Sequence, residues 1–199
     1  MEELTTRMID DAVAALSGIR WPIVDAEANV PGVPGLYAVY GTAPAWADLA
    51  LTVDAPLDRP LYVGKAEDSF VSRDLRTHFA SGRTGQSTVR RSFAALLHDS
   101  LDLRGIPRNT KKPGHFANFG LSPEGDARLT SWMWRHLSLA VWPTTGAAPL
   151  IEIEGEVVRR LNPPLNIEHL PRSTRRGLSD ARRAMADEAR QWANEQATD

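Results

Sequence analysis

The sequence predicts an α+β protein in which a small antiparallel sheet of three strands is flanked by helices. Three short apolar segments, each bounded by glycine or proline, have the composition of strands. Longer segments with apolar residues at helical spacing lie before, between and after them. Because three strands of this length cannot close into a barrel, helices must cover the apolar faces of the sheet.

Turn-forming residues mark the ends of the three predicted strands. The first strand covers residues 36–40 and follows the double turn signal VPGVPG at residues 30–35. The second covers residues 61–64, and the modest loop between it and the first favours an antiparallel pair. The third covers residues 138–143 and ends in proline.

Apolar residues at helical spacing predict helices over residues 5–19, 67–81, 87–101, 129–137, 149–161 and 179–195. Ser87 or Thr88 is the expected N-cap of the third helix, and Thr130 that of the fourth. Residues 102–126 contain several glycines and prolines and are predicted to form a long irregular loop. A loop of this length in a compact domain is commonly functional or disordered.

The composition is that of a globular protein without covalent cross-links. Of 199 residues, 42% are hydrophobic and 24% are charged, which are usual values. The absence of cysteine excludes disulfides and thiolate zinc sites and suits a reducing cytoplasm. No apolar run approaches the length of a membrane span, and the acidic N-terminus lacks a secretory signal pattern. We therefore expect a cytoplasmic protein with no membrane partner.

Positive charge is concentrated in the middle of the chain. Residues 1–58 carry 2 basic and 9 acidic side chains, whereas residues 59–112 carry 11 basic and 5 acidic ones. A basic segment of this kind favours an anionic partner such as nucleic acid, although a solvated charged surface has the same composition. The candidate contacts to nucleic acid are Lys65, Arg76, Arg83, Arg90, Arg91, Lys111 and Lys112.

Two tripeptides on the first two predicted strands carry a resemblance to a known family. GLY at residues 35–37 and YVG at residues 62–64 resemble the signature strands of the GIY-YIG nuclease superfamily. In that family an arginine, often with a histidine after it, follows on a helix, and here Arg73 and His78 stand in the next predicted helix. Each tripeptide alone is a weak signal, so the resemblance depends on the whole set occurring in order.

The later part of the family pattern is present as well. The family has a glutamate on a helix, then a proline and an asparagine, and here Glu154 and Asn166 flank the NPP sequence. The resemblance implies a nuclease-like domain over residues 34–170. Residues 1–33 would then be an N-terminal helical extension, and residues 171–199 a C-terminal helix packed on the same domain.

Phosphodiester hydrolysis needs a group that takes a proton from the attacking water and positive charge that stabilises the phosphate. The resemblance implies that Tyr37 or Tyr62 activates the water with assistance from His78. A phenol has a pKa of about 10, so it needs a neighbouring cation or imidazole to act as a base. We favour Tyr37 as the base and Tyr62 as its partner, and the opposite assignment stays open.

Arg73 would supply fixed positive charge to the phosphate, since a guanidinium stays protonated at working pH. The family spacing from arginine to histidine is usually four residues, and here it is five, which leaves Arg76 as the alternative. Glu154 would hold Mg²⁺ or Mn²⁺, because Mg²⁺ needs only one or two carboxylates beside water and phosphate oxygens. Asn166 would brace the site by hydrogen bonds, and Gly64 would let the backbone approach the phosphate.

The set of residues predicts a metal-dependent endonuclease that acts on DNA, with RNA as the second choice of substrate. Two alternatives are a nuclease-like module that binds nucleic acid without cutting it, and a non-catalytic interaction protein. Each residue alone also has a structural interpretation, since a tyrosine in a strand commonly serves packing. The sequence shows no separate module for reading DNA, and it leaves the oligomeric state open, a homodimer being one option.

Overall fold

The computed structural model of this chain describes residues 2–51, 56–70, 77–144, 149–167 and 172–197. The helices are α1 (Glu2–Leu16), α2 (Ile23–Asn29), α3 (Ala43–Asp48), α4 (Thr88–Leu96), α5 (Pro123–His136), α6 (Leu150–Leu161) and α7 (Arg172–Gln196). The strands are β1 (Trp21–Pro22), β2 (Gly35–Gly41), β3 (Tyr62–Ala66), β4 (Gly105–Ile106), β5 (Gly120–Leu121) and β6 (Leu137–Pro143).

The main sheet is antiparallel with the strand order β1-β6-β2-β3, so β3 lies at one edge. The predicted α+β class is confirmed, and so are the three predicted strands, which correspond to β2, β3 and β6. The predicted number of strands is wrong, because β1 adds a fourth strand beside β6. Strand β1 cannot be predicted from hydrophobic alternation, because it has only two residues and one of them is a proline.

Each face of the sheet is covered by its own set of helices. One face carries Tyr37 and Val39 and belongs to a core that includes residues of α2, α4, α5 and α7. The other face carries Leu36, Ala38 and Tyr40 and packs against residues of α1 and α6. Alternate residues of β2 thus point into two different cores, as the pleat of a strand requires.

The N-caps explain where the helices begin. Ser87 caps α4 by accepting a hydrogen bond from the Arg90 backbone amide at 3.1 Å, as predicted. The predicted cap of the next helix is wrong, because Ser122 caps α5 and Thr130 lies inside it. Pro123 occupies the first helical position, where a missing amide proton costs nothing. The helix therefore begins six residues before its predicted start.

The prediction of one irregular loop over residues 102–126 is also wrong in part. This segment contains the short antiparallel pair of β4 and β5, a 3-10 turn at Phe116–Asn118 and the first turn of α5. Residues 71–76 of the predicted helix over residues 67–81 lie outside the described part of the chain, and of its nine described residues only 70, 77 and 78 are helical.

No helix in the described part of the chain combines the length and the apolar composition that crossing a membrane requires.

Candidate active site

The two tyrosines of the strand motifs lie on the same face of the sheet. Tyr37 stands opposite Gly64, and Val39 stands opposite Tyr62, so the two tyrosines are diagonal neighbours on adjacent strands. Their ring centroids are 6.1 Å apart, with the ring planes tilted by 39°. Tyr37 is only 2% exposed, whereas Tyr62 is half-buried at the sheet edge. Both rings therefore project to the same side of the sheet.

Gly64 provides the space that these two rings occupy. A Cβ atom at this position would lie 2.6 Å from the Tyr37 hydroxyl oxygen and 2.8 Å from Cε1 of Tyr62. Contacts that short do not occur in folded proteins, so any side chain here would displace the tyrosines. The glycine of the YVG motif therefore serves the packing of the tyrosines, and its predicted role in the approach of a phosphate stays a prediction.

His78 extends this row of rings into the core. Its ring centroid lies 6.0 Å from that of Tyr37, and the residue is buried. His78 Nδ1 lies 2.7 Å from Oγ of Ser87, the residue that caps α4. The start of α4 thus fixes the orientation of the imidazole beside Tyr37.

A buried ion pair holds the surroundings of His78 together. Arg90, which has no exposed surface, donates to Asp126 Oδ1 at 2.9 Å and to the His78 carbonyl at 3.3 Å. It also donates to the hydroxyls of Thr84 and Thr130. Burial lowers the pKa of the Arg90 guanidinium, and attraction and hydrogen bonding to Asp126 oppose that shift.

Arg90 and Arg91 were expected at a nucleic-acid surface, and the structure places both inside the protein. Arg90 cannot reach a phosphate because the core encloses it completely. Arg91 is 6% exposed and donates to the Gly85 carbonyl and the Thr88 hydroxyl, each at 3.1 Å. Both side chains serve the interior of the molecule.

A cleft of about 610 Å³ brings three of the predicted site residues together. Tyr62 from β3, Glu154 from α6 and Asn166 from the segment after α6 all line it. Tyr37 adjoins the cleft through its ring contact with Tyr62, and His78 adjoins Tyr37 in turn. Arg73 and Arg76, the two candidates for the phosphate-stabilising arginine, lie outside the described residues.

Asn166 is bound to the edge strand through both atoms of its amide. Its Oδ1 accepts a hydrogen bond from the Val63 amide at 2.9 Å, and its Nδ2 donates to the Val63 carbonyl at 2.8 Å. The side chain therefore satisfies backbone groups that an edge strand otherwise leaves unpaired. The role of Asn166 in bracing a catalytic site stays a prediction, and these hydrogen bonds are compatible with it.

The structure separates Glu154 from the two glutamates beside it. Glu152 is exposed, and Glu156 accepts hydrogen bonds from Arg159 and Arg160, which lower its pKa. Glu154 is half-buried and is the glutamate of this trio that lines the cleft. Its position makes it the carboxylate of α6 that a bound substrate or cation could reach.

The donor set of the cleft fits a hydrated divalent cation. Among the described residues there is no group of three or more His, Asp or Glu side chains with the spacing of a metal cage. Mg²⁺ does not require such a cage, since it commonly keeps several waters and takes one or two carboxylates. Six waters need roughly 180 Å³ at about 30 Å³ each, so the cleft has room for them.

The remaining basic candidates differ in their surroundings. Lys65 pairs with Glu67 at 2.9 Å and stands opposite Leu36, on the other face of the sheet from Tyr62. Arg83, Lys111 and Lys112 are exposed and stay candidates for contacts to a phosphate backbone.

Helix α7 brings basic residues to the cleft that the sequence analysis did not assign to it. Arg182, Arg183 and Arg190 all line the cleft. Arg183 pairs with Asp180 at 2.9 Å, and Arg190 pairs with Asp187. The apolar stripe of the predicted helix indicated that it packs on the domain, but not that the adjacent arginines face Tyr62 and Glu154.

An α+β domain with tyrosines on paired strands and a carboxylate in the adjoining cleft has the architecture of a hydrolytic nuclease domain. The sequence matches the GIY-YIG catalytic domain family over residues 57–184, which is more than half of the chain. The protein therefore belongs to this family of nuclease domains. The matched region includes Tyr62, Glu154, Asn166 and Arg182. No curated protein and no solved structure gave a significant match.

Proposed function

We propose that the protein is a metal-dependent endonuclease that hydrolyses phosphodiester bonds of DNA. The observation that carries this proposal is the convergence of Tyr62, Glu154 and Asn166 on one cleft, with Tyr37 and His78 packed behind Tyr62. Membership of the nuclease family supplies the reaction type. The exposed basic residues outside the cleft would contact the sugar–phosphate backbone without reading its sequence.

In this proposal Tyr62 takes the proton of the attacking water. The sequence analysis favoured Tyr37, but the burial of Tyr37 and the position of Tyr62 in the cleft support the opposite assignment. Tyr37 then positions the Tyr62 ring, and His78 holds Tyr37 from behind. Arg182 lines the same cleft as Tyr62.

Glu154 would hold Mg²⁺ or Mn²⁺. When bound, such a cation supplies positive charge to the phosphate oxygens. Arg73, or Arg76 in its place, would add a fixed positive charge from the segment after β3. Asn166 keeps the edge of β3, and with it Tyr62, in place. A cytoplasmic location is part of the proposal.

The test is a plasmid-nicking assay with Glu154→Gln, carried out with and without Mg²⁺. We expect the variant to lose nicking while it keeps the wild-type melting temperature, because the charge of Glu154 serves the cleft rather than the core. Glu152→Gln is the matched control, since it makes the same change at an exposed position of the same helix. Full nicking by a folded Glu154→Gln protein would refute the assignment.

The same assay separates the alternative functions. Wild-type protein that shifts DNA in a gel but never nicks it would be a binding module without cleavage activity. Wild-type protein that does neither would be a non-catalytic interaction protein. An RNA substrate in a parallel reaction decides between the two nucleic acids.

A further inference from the structure

Two arginines beside the proposed catalytic cleft have no acidic partner among the residues that the structure describes. Arg182 of α7 lines the cleft together with Tyr62, and Arg91 of α4 lies close enough to Arg182 for their charges to repel each other. In the described part of the chain, neither side chain forms a salt bridge with a carboxylate. By contrast, the two other arginines of α7 that line the cleft are paired, Arg183 with Asp180 and Arg190 with Asp187.

The electrostatic surroundings of these arginines are unfavourable to positive charge. Burial, followed by repulsion from Arg182 and Arg108, lowers the pKa of Arg91 to about 10. Burial also lowers the pKa of Arg182, and the charge that Tyr62 can carry opposes that shift. Arg91 therefore remains charged at neutral pH, and within the described residues its charge is repelled by Arg182 and Arg108 and forms no salt bridge with a carboxylate.

The hydrogen bonding of Arg91 is incomplete as well. Its two terminal nitrogens donate to the Gly85 carbonyl and the Thr88 hydroxyl, but its buried Nε–H has no partner within the described residues. A buried donor without an acceptor costs about 1–3 kcal/mol. Proteins keep such groups where another requirement outweighs this cost. An anion beside Arg91, Arg108 and Arg182 would supply negative charge to these three arginines.

We propose that Arg182, supported by Arg91 and Arg108, forms an anion subsite of the cleft that binds a phosphate of the nucleic-acid substrate. The subsite rests on the proposed function, because it assigns its ligand to that substrate. Thr88 also lines the cleft and is the first residue of α4, so the positive end of this helix adjoins the same space. A planar guanidinium can bind two phosphate oxygens at once, which favours Arg182 for this task.

We expect the subsite to bind the substrate phosphate already in the enzyme–substrate complex, before the chemical step. A phosphate of the bound substrate already carries negative charge before the reaction begins, so Arg182 would bind it equally in the ground state and in the transition state. Its loss should therefore raise KM more than it lowers kcat. This split distinguishes the subsite from an arginine that acts only in the transition state.

The first measurement is DNA affinity of the full-length protein in EDTA, with a labelled double-stranded oligonucleotide as the probe. We expect Arg182→Gln to weaken binding at least about 10-fold and to reduce the slope of log K against log[salt] by about one. Arg135→Gln is the charge-matched control, because Arg135 is exposed on α5 and does not line the cleft. Equal affinity and slope for wild type and Arg182→Gln would overturn the proposal.

A second measurement does not depend on any variant folding correctly. Inorganic phosphate is titrated into the wild-type protein while the arginine Nε–H signals are followed by NMR. We expect the Arg91 and Arg182 signals to shift together and to saturate. Unmoved signals, or signals that drift without saturation along with those of exposed arginines, would show that no subsite exists.

Failure of the subsite and failure of the proposed nuclease function give different results. Wild-type protein that never cleaves with Mg²⁺ present contradicts the nuclease proposal, while an affinity loss in Arg182→Gln would still support the subsite. Wild-type protein that cleaves, together with an Arg182→Gln variant of unchanged KM and affinity, contradicts the subsite alone.

Discussion

At the scale of single residues, the three tyrosines of this chain have three different environments. Tyr62 lines the cleft, and Tyr37 is buried between the rings of Tyr62 and His78. Tyr40 points to the opposite face of the sheet, where its hydroxyl donates to the Leu16 carbonyl at 2.9 Å. Removing each hydroxyl in turn therefore separates a catalytic contribution from a packing contribution.

We expect Tyr62→Phe to fold and to bind DNA, but to cleave at least about 10²-fold more slowly, the usual scale for losing a proton-transfer group. Tyr37→Phe keeps the ring that contacts Tyr62, so it should fold, bind DNA and lose less of the cleavage rate. Their effects should be non-additive, because both residues act on one proton-transfer step. Single-turnover cleavage of the two variants and the double variant gives the coupling between them. Tyr40→Phe is the control and should cleave at the wild-type rate. Wild-type cleavage by both of the first two variants would make the tyrosines packing residues.

Prediction from sequence succeeded for site residues whose position follows from a local motif. Tyr62 and Asn166 converge on one cleft in the structure, and the lining of that cleft separates Glu154 from Glu152 and Glu156. Arg90 and Arg91 were misassigned because arginine is almost never fully buried unless it is paired. Their partners, Asp126 and the loop at Thr84, are distant or irregular in sequence, so no local pattern could indicate the pairing.

At the scale of elements, helix α7 is the part of the fold that completes the cleft. It packs on α4 and on β4, and its arginines and Ala186 line the cleft. Its contact with β4 is close, since a Cβ atom at Gly105 would lie 2.1 Å from the Met185 carbonyl oxygen. Glu188 of α7 also accepts a hydrogen bond from the Gly105 amide at 2.9 Å. The position of α7 thus depends on the absence of a side chain at residue 105.

This contact predicts that Gly105→Ala displaces α7 and weakens the cleft without unfolding the main sheet. The added methyl meets backbone that cannot rotate away, and overpacking of this kind costs about 1–3 kcal/mol. We expect lower DNA affinity and faster amide exchange in α7, measured by hydrogen exchange, with little change in β2 and β6. Gly114→Ala is the control, because a Cβ atom there meets nothing within 4 Å. Equal exchange in α7 for both variants would contradict the prediction.

The elements that the sequence predicted correctly have long apolar patterns. Helices α1, α4, α6 and α7 and strands β2, β3 and β6 all carry the periodicity of their type. Strand β1 and the pair of β4 and β5 are two residues long, so pairing with distant partners rather than local pattern defines them. The early start of α5 depends on Ser122 and Pro123, a start signal that the apolar pattern beginning at Leu129 concealed.

At the scale of the whole molecule, one buried polar network connects the segments around the site. The Asp126 carboxylate accepts hydrogen bonds from the backbone amides of Gly82 and Arg83 and from the Thr84 hydroxyl, and it pairs with Arg90. The network therefore joins α4 and α5 to the segment that follows His78. Loss of one partner would leave a charge and several donors buried without acceptors.

We expect Asp126→Asn to lower the free energy of unfolding by about 3–5 kcal/mol, the usual cost of breaking a buried ion pair. Urea denaturation at neutral pH measures the change. Glu3→Gln is the control, because the Glu3–Arg7 pair is exposed and should contribute almost nothing. The double variant Arg90→Met/Asp126→Asn removes the isolated charge, so it should be more stable than Asp126→Asn alone. It should not reach wild-type stability, since the amides of Gly82 and Arg83 and the Thr84 hydroxyl would still lack their carboxylate acceptor. If Asp126→Asn unfolds at the same urea concentration as Glu3→Gln, the network does not stabilise the fold.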